Sequence, residues 1–153
     1  MKNHSCCFTG HREITDDYSE LKKRLERELV ELIKQGIYIF YSGGASGFDL
    51  LASESILELQ KNYPHIQLHL ILPYKKHTTS RKKEASALSE RICEQANHID
   101  VLAERFYPGC FHVRNRRLVD SACVCICYQR KENGGTAYTV KYAEEKGLSL
   151  IKI

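Results

Sequence analysis

No apolar run in the sequence approaches the roughly 20 residues that a membrane-spanning helix needs, so membrane insertion is not expected. Residues 1–8 hold neither a long apolar stretch nor a small-residue cleavage pattern, so nothing there reads as a secretory signal. No CxxC pair occurs, which removes zinc-ribbon and thioredoxin-type sites. There is no GxGxxG and no Walker A loop, because no Lys-Ser/Thr follows the glycines. His4, His65, His69, His77, His98 and His112 have no metal-ligand spacing, and no metal site is expected. No repeat, low-complexity segment or linker divides the chain, so 1–153 is expected to be one domain.

What is present fits a cytoplasmic globular domain. The 153 residues can bury roughly 70% of the surface exposed by the unfolded chain, with 42% hydrophobic and 27% charged residues. Seven cysteines without a pairing pattern fit a reducing compartment. Cys123, Cys125 and Cys127 alternate with Val124 and Ile126, which on a strand puts the three on one face. A row on one strand cannot by itself surround a tetrahedral ion, so these thiols read as small core hydrophobes. The net charge of +4 favours anionic ligands. Two basic clusters stand out, Lys75, Lys76, His77, Arg81, Lys82 and Lys83, and Arg114, Arg116 and Arg117.

Short β-rich runs alternate with helix-length amphipathic segments. Strands are expected at 6–9, 37–41, 67–72, 99–103, 122–128 and 148–153, and helices at 16–35, 48–62, 80–96, 112–120 and 136–146. The first helix is the clearest: Leu21, Leu25, Leu29, Leu32 and Ile33 form one stripe. Thr15 is its expected N-cap. Segment 106–111 reads as loop. Strand–helix alternation implies an α/β, Rossmann-like, doubly wound and mostly parallel sheet with helices on both faces.

Ligands of such sheets bind beyond the carboxyl ends of the strands, and the unusual residues fall there. The first strand runs into Thr9, Gly10, His11 and Arg12. The second runs into Ser42, Gly43, Gly44, Ala45, Gly47 and Asp49. Arg114 and Asn115 follow the fourth. Gly134, Gly135 and Thr136 follow the fifth. Glycines let the backbone approach a ligand closely, and each glycine turn opens onto a helix whose first N–H groups favour an anion. Gly44 is expected to tolerate a bulky residue in a folded protein that no longer binds ligand. Asp49 reads either as a helix-start carboxylate or as an acceptor for a ribose hydroxyl. Guanidinium groups suit phosphate. Arg114 and Arg116, two apart, do not share a helix face, so one can reach the crevice while the other meets solvent or an acidic partner. His11 is either a phosphate contact or a plain turn residue.

These motifs, taken in order together with Val119-Asp120 and Tyr142-Ala143, resemble the YpsA-like family. That family belongs to the superfamily (SLOG) containing the DNA-processing protein DprA (Smf) and the LOG cytokinin-activating enzymes. The resemblance implies a Rossmann-like fold, a nucleotide or dinucleotide-derived ligand held by the two glycine loops, and homodimerisation. LOG enzymes cleave the N-glycosidic bond of nucleoside monophosphates with a Glu in GGxGTxxE; here Thr139 stands at the Glu position. Asp49 and Asp120 are the candidate substitutes, and Thr139→Glu is the natural rescue to try. The Arg114-Asn115-Arg116 run looks like the DprA version, although DprA carries additional domains that a chain of this length is not expected to hold. The resemblance implies an aromatic in the segment after the third strand that is not evident here, since the sequence has no Trp. The leading expectation is therefore a sensor or regulatory domain that binds a small nucleotide-like ligand, with the question of catalysis left open and leaning against it. The alternatives are a hydrolase of an N-glycosidic or phosphate bond, and a DNA-associated protein, with nucleic acid the less favoured partner.

Overall fold

The computed structural model describes residues 2–75 and 83–153. Lys76, His77, Arg81 and Lys82 of the first basic cluster lie outside the described residues, as does the expected helix start at 80. After a short turn at Lys2–His4, the strands are β1 (Ser5–Gly10), β2 (Ile39–Ser42), β3 (Gln67–Leu72), β4 (His98–Val101), β5 (Val124–Tyr128) and β6 (Ser149–Lys152). The helices are α1 (Tyr18–Lys34), α2 (Phe48–Leu59), α3 (Lys83–Gln95), α4 (Cys110–Asp120) and α5 (Gly135–Glu145). The sheet order is β4-β3-β2-β1-β5-β6, and every strand pair is parallel.

Two apolar layers hold the helices to the sheet. Leu21, Leu25 and Leu29 of α1, Phe48, Leu51 and Ile56 of α2, and Ile92 of α3 pack with Phe8, Phe40 and Leu68 on one face. Leu118 and Val119 of α4 and Val140 and Ala143 of α5 pack with Cys7, Cys125 and Cys127 on the other. The fold is the expected doubly wound one, with a wholly parallel sheet.

Three local expectations change. Asp17, not Thr15, caps α1, accepting from the Glu20 N–H at 3.0 Å. Thr15 is held elsewhere: its N–H donates to the Tyr128 hydroxyl at 3.1 Å. The fourth helix starts at Cys110 and not at His112, because Gly109 adopts the left-handed conformation (φ 91°) and supplies the break. The three cysteines do not form one row either. Cys123 precedes β5, packs on the opposite layer and donates its thiol to the Ser5 carbonyl at 3.4 Å. Cys125 and Cys127 are fully buried beside Cys7, and the Cys127 thiol is pushed far up in pKa by its hydrogen bond with Cys125 and by burial. Among the described residues no three metal-ligating side chains are grouped to hold an ion. Among the same residues, no helix is long and apolar enough to cross a membrane.

Candidate functional site

Strands β1 and β5 are neighbours, with Gly10 beside Tyr128. From β1 the chain builds the sheet outward through β2, β3 and β4, and it then returns to place β5 on the other side of β1. The connections therefore leave this pair in opposite directions, which opens a crevice at the carboxyl ends. A cavity of about 680 Å³ lies there, within the size range of small-molecule sites.

Most of the residues expected from the sequence meet in this cavity. Thr9, Gly10, His11 and Arg12 form one wall, and Ala45 and Asp49 another. Arg114 and Asn115 enter from α4, and Gly134, Gly135 and Thr136 from the start of α5. Ser42, Gly43, Gly44 and Gly47 stand behind the wall and build it. Ser42 is fully buried; its hydroxyl donates to the Asp49 carbonyl at 3.3 Å and accepts from Ser53 at 2.8 Å. Gly47 has φ 77°, and a Cβ there would collide with the Arg12 carbonyl. It presses the turn after β2 against the turn after β1, where the Phe48 N–H donates to the His11 carbonyl at 3.1 Å. Gly44 faces inward: a Cβ would lie 2.6 Å from Leu72 Cδ2. A bulky residue at Gly44 therefore disturbs the core, contrary to the expectation of a folded, non-binding variant.

Arg114 is the central cation. It is only 4% exposed. Its Nε donates to Asn115 Oδ1 at 2.8 Å, and its Nη1 donates to the Gly43 carbonyl. No hydrogen bond from Nη2 and no ion pair of Arg114 occurs among the described residues. Asp49 sits on the other side of Gly43 and accepts from the Ala45 N–H at 3.2 Å. Burial pushes the Asp49 carboxyl up to about 6, against the pull of Arg114, the Ala45 N–H and Arg12. At neutral pH the site therefore holds Arg114, Arg12 and Lys131 against one mostly ionised carboxylate, and the balance is positive.

His11 is held by the backbone. Its Nε2 accepts from the Arg130 N–H at 2.7 Å, which puts the proton of the neutral ring on Nδ1. Burial, then the charges of Lys131 and Arg130, lower its pKa, which favours the neutral ring. A brace lies next to it. The Tyr128 hydroxyl donates to Asp16 Oδ1 at 3.0 Å and accepts from the Thr15 and Asp16 N–H groups. Arg130 clasps both oxygens of Asp16 at 3.0 and 2.8 Å, which holds that carboxyl well below the ordinary range. The brace joins the turn after β1 to the turn after β5.

Other candidates fall elsewhere. Arg116 donates to the Tyr138 hydroxyl at 2.8 Å, and Asp120 accepts from Tyr142 at 2.8 Å; neither lines the cavity, so Asp120 does not stand in for a catalytic Glu there. Thr139 is 1% exposed, and its hydroxyl donates to the Gly135 carbonyl at 2.8 Å within α5. It points into packing, which removes the expectation that Thr139→Glu would rescue activity. Sequence reasoning missed Phe8, Phe111, His112, Leu118 and Lys131 in the lining. Phe111 had a signal: it stands three residues before Arg114 and so shares its helix face.

The chain is 28% identical over 130 residues to UPF0398 proteins of Bacillus cereus strain ATCC 14579 and Bacillus thuringiensis strain Al Hakam, covering 83% of this chain and 71% of each relative. In three dimensions it is similar to DNA processing protein A from Helicobacter pylori, a structure described for its single-stranded DNA binding mode (TM-score 0.71, 23% identity). It is likewise similar to DprA from Streptococcus pneumoniae (TM-score 0.70, 18% identity). Each likeness covers 99% of this chain, which spans 65% and 50% of those proteins respectively. Residues 6–149 match the model of the YspA SLOG family (YpsA), and the chain belongs to that family.

Proposed function

We propose that this chain binds a nucleotide or nucleotide-derived phosphate ligand in the cavity beside β1 and β5, as a sensor or regulatory domain. The observation that carries this reading is Arg114: a guanidinium 4% exposed, with no ion pair among the described residues, lining a cavity. A buried cation is costly without full compensation; the Asp49 carboxylate lies nearby but makes no ion-pair contact with it, and a phosphate oxygen would supply that contact. The start of α5 supports the same guest, since Gly134, Gly135 and Thr136 bring the positive helix end to the cavity. Asn115, His11 and Asp49 then offer groups for the rest of the ligand. Homodimerisation, implied by the family resemblance, belongs to the same proposal and is read by light scattering.

Catalysis is not part of this reading. Thr139, at the position of the LOG-type Glu, is committed to its own helix. Incubation with a panel of nucleotides, followed by thermal unfolding and product analysis, tests the proposal. Stabilisation without product is the expected result. Release of free base or phosphate would move the protein to the hydrolase class. A second reading, DNA association, draws on the fold shared with DprA proteins, one of them described binding single-stranded DNA. Titration with a fluorescent oligothymidylate separates the two.

A further inference from the structure

Beside the phosphate end of the cavity lies a group of aromatic rings that the phosphate reading leaves unused. Phe111, in the first turn of α4, lines the cavity. Its ring is 6.2 Å from Tyr74, which follows β3, and 5.9 Å from Phe106; Tyr74 and Phe106 are themselves 5.9 Å apart. The three rings therefore touch one another at tilted and edge angles. Phe106 is 57% exposed and the adjoining Tyr107 40% exposed. Neither lines the cavity itself, but through Phe111 they extend its wall as contiguous exposed aromatic surface, the kind of patch that marks binding sites. Phe111 also meets cations: the Arg12 guanidinium lies 4.9 Å from the ring centre and that of Arg114 6.0 Å. Phe111 thus stands at the junction of an anion site and an aromatic platform. A ligand filling both must carry a phosphate at one end and a flat aromatic group at the other.

We propose that Phe111 and Phe106, backed by Tyr74, form a base-stacking subsite, so that the ligand is a nucleotide with an intact base rather than a sugar phosphate. The inference rests on the phosphate reading above and specifies its other end. Nucleobases stack on aromatic side chains largely irrespective of sequence. The exposed guanidinium of Arg12 can give way from the Phe111 ring or cover the far side of the base.

The test is calorimetric titration of the full chain with AMP and, separately, with ribose 5-phosphate, using the unmodified protein, Phe106→Ala and Phe111→Leu. Phe106 is exposed and Phe111→Leu keeps an apolar side chain, so both variants are expected to fold, which circular dichroism checks. The subsite predicts AMP binding weakened roughly tenfold or more in either variant, the scale of one lost stack, with ribose 5-phosphate binding unchanged. AMP binding unaltered in both variants would overturn the subsite and leave the phosphate site standing. Equal weakening of both ligands would also overturn it, since the rings would then only support the arginines. Failure of the unmodified protein to bind either ligand would refute the phosphate reading itself, and the subsite with it. Tight oligothymidylate binding that depends on Phe106, with AMP unbound, would reassign the platform to a single strand.

Discussion

Arg114 and Gly43 are 71 residues apart in the chain, yet the arginine's Nη1 donates to the glycine's carbonyl oxygen. The bond fastens α4 to the turn after β2 and fixes the direction of the buried guanidinium. A Cβ on Gly43 would lie 2.7 Å from that nitrogen and 2.9 Å from Asp49 Oδ2. Gly43→Ala must displace one or both. We expect AMP affinity to fall about tenfold, equivalent to about 1.4 kcal/mol, in a protein that still unfolds cooperatively. Unchanged affinity by calorimetry would separate the turn from the site.

Asp49 sets a pH dependence. Its carboxyl is pushed up to about 6 by burial, against about 3.9 when unfolded. The folded protein therefore binds this proton more tightly than the unfolded chain does. The associated stability is full below about pH 4, falls as pH rises towards 6, and is flat above. Asp49→Asn removes the dependence. The stability difference between variant and parent should shift in the variant's favour by roughly 2–3 kcal/mol between pH 4 and pH 7. Urea unfolding at four pH values measures it; a constant difference would contradict the assignment.

The Tyr128 hydroxyl serves the Thr15 and Asp16 N–H groups and the Asp16 carboxylate together. Tyr128→Phe leaves the two N–H groups without this acceptor. A stability loss of about 1–2 kcal/mol follows, with faster hydrogen exchange at Thr15 and Asp16. Exchange rates equal to the parent's would show that the brace does not order this turn.

Thr139 bears on catalysis. Its side chain is buried and bonded within α5, so Thr139→Glu places a charge in packing. We expect a loss of at least about 3 kcal/mol and no release of adenine from AMP. Chromatography of the reaction mixture decides the point; adenine release by Thr139→Glu alone would show that the residue reaches the ligand.

The fold was legible because its signals are local. Leu21, Leu25, Leu29, Leu32 and Ile33 lie on one helical stripe, and all five are buried. The crevice was legible because glycines and arginines follow strands. Long-range bonds were not. Thr15 has the chemistry of a cap but is held by Tyr128, 113 residues away, and Asp17 caps instead. Asp49 and Arg114 were both expected at the rim, but no spacing announces that they meet on either side of Gly43. Resemblance placed Thr139 at a catalytic position, whereas packing turns it from the cavity. Segment 106–111 reads as loop, yet α4 starts at Cys110 behind the left-handed Gly109 and carries Phe111 in its first turn.

The proposed function turns on Arg114 as the phosphate receptor. Calorimetric titration of AMP into the unmodified protein and into Arg114→Ala tests it most directly. Saturable binding near one AMP per chain is expected, weakened at least about 30-fold in the variant, since truncating one side of a buried charge pair costs about 2–5 kcal/mol. Equal affinity for AMP in a folded Arg114→Ala protein would contradict it.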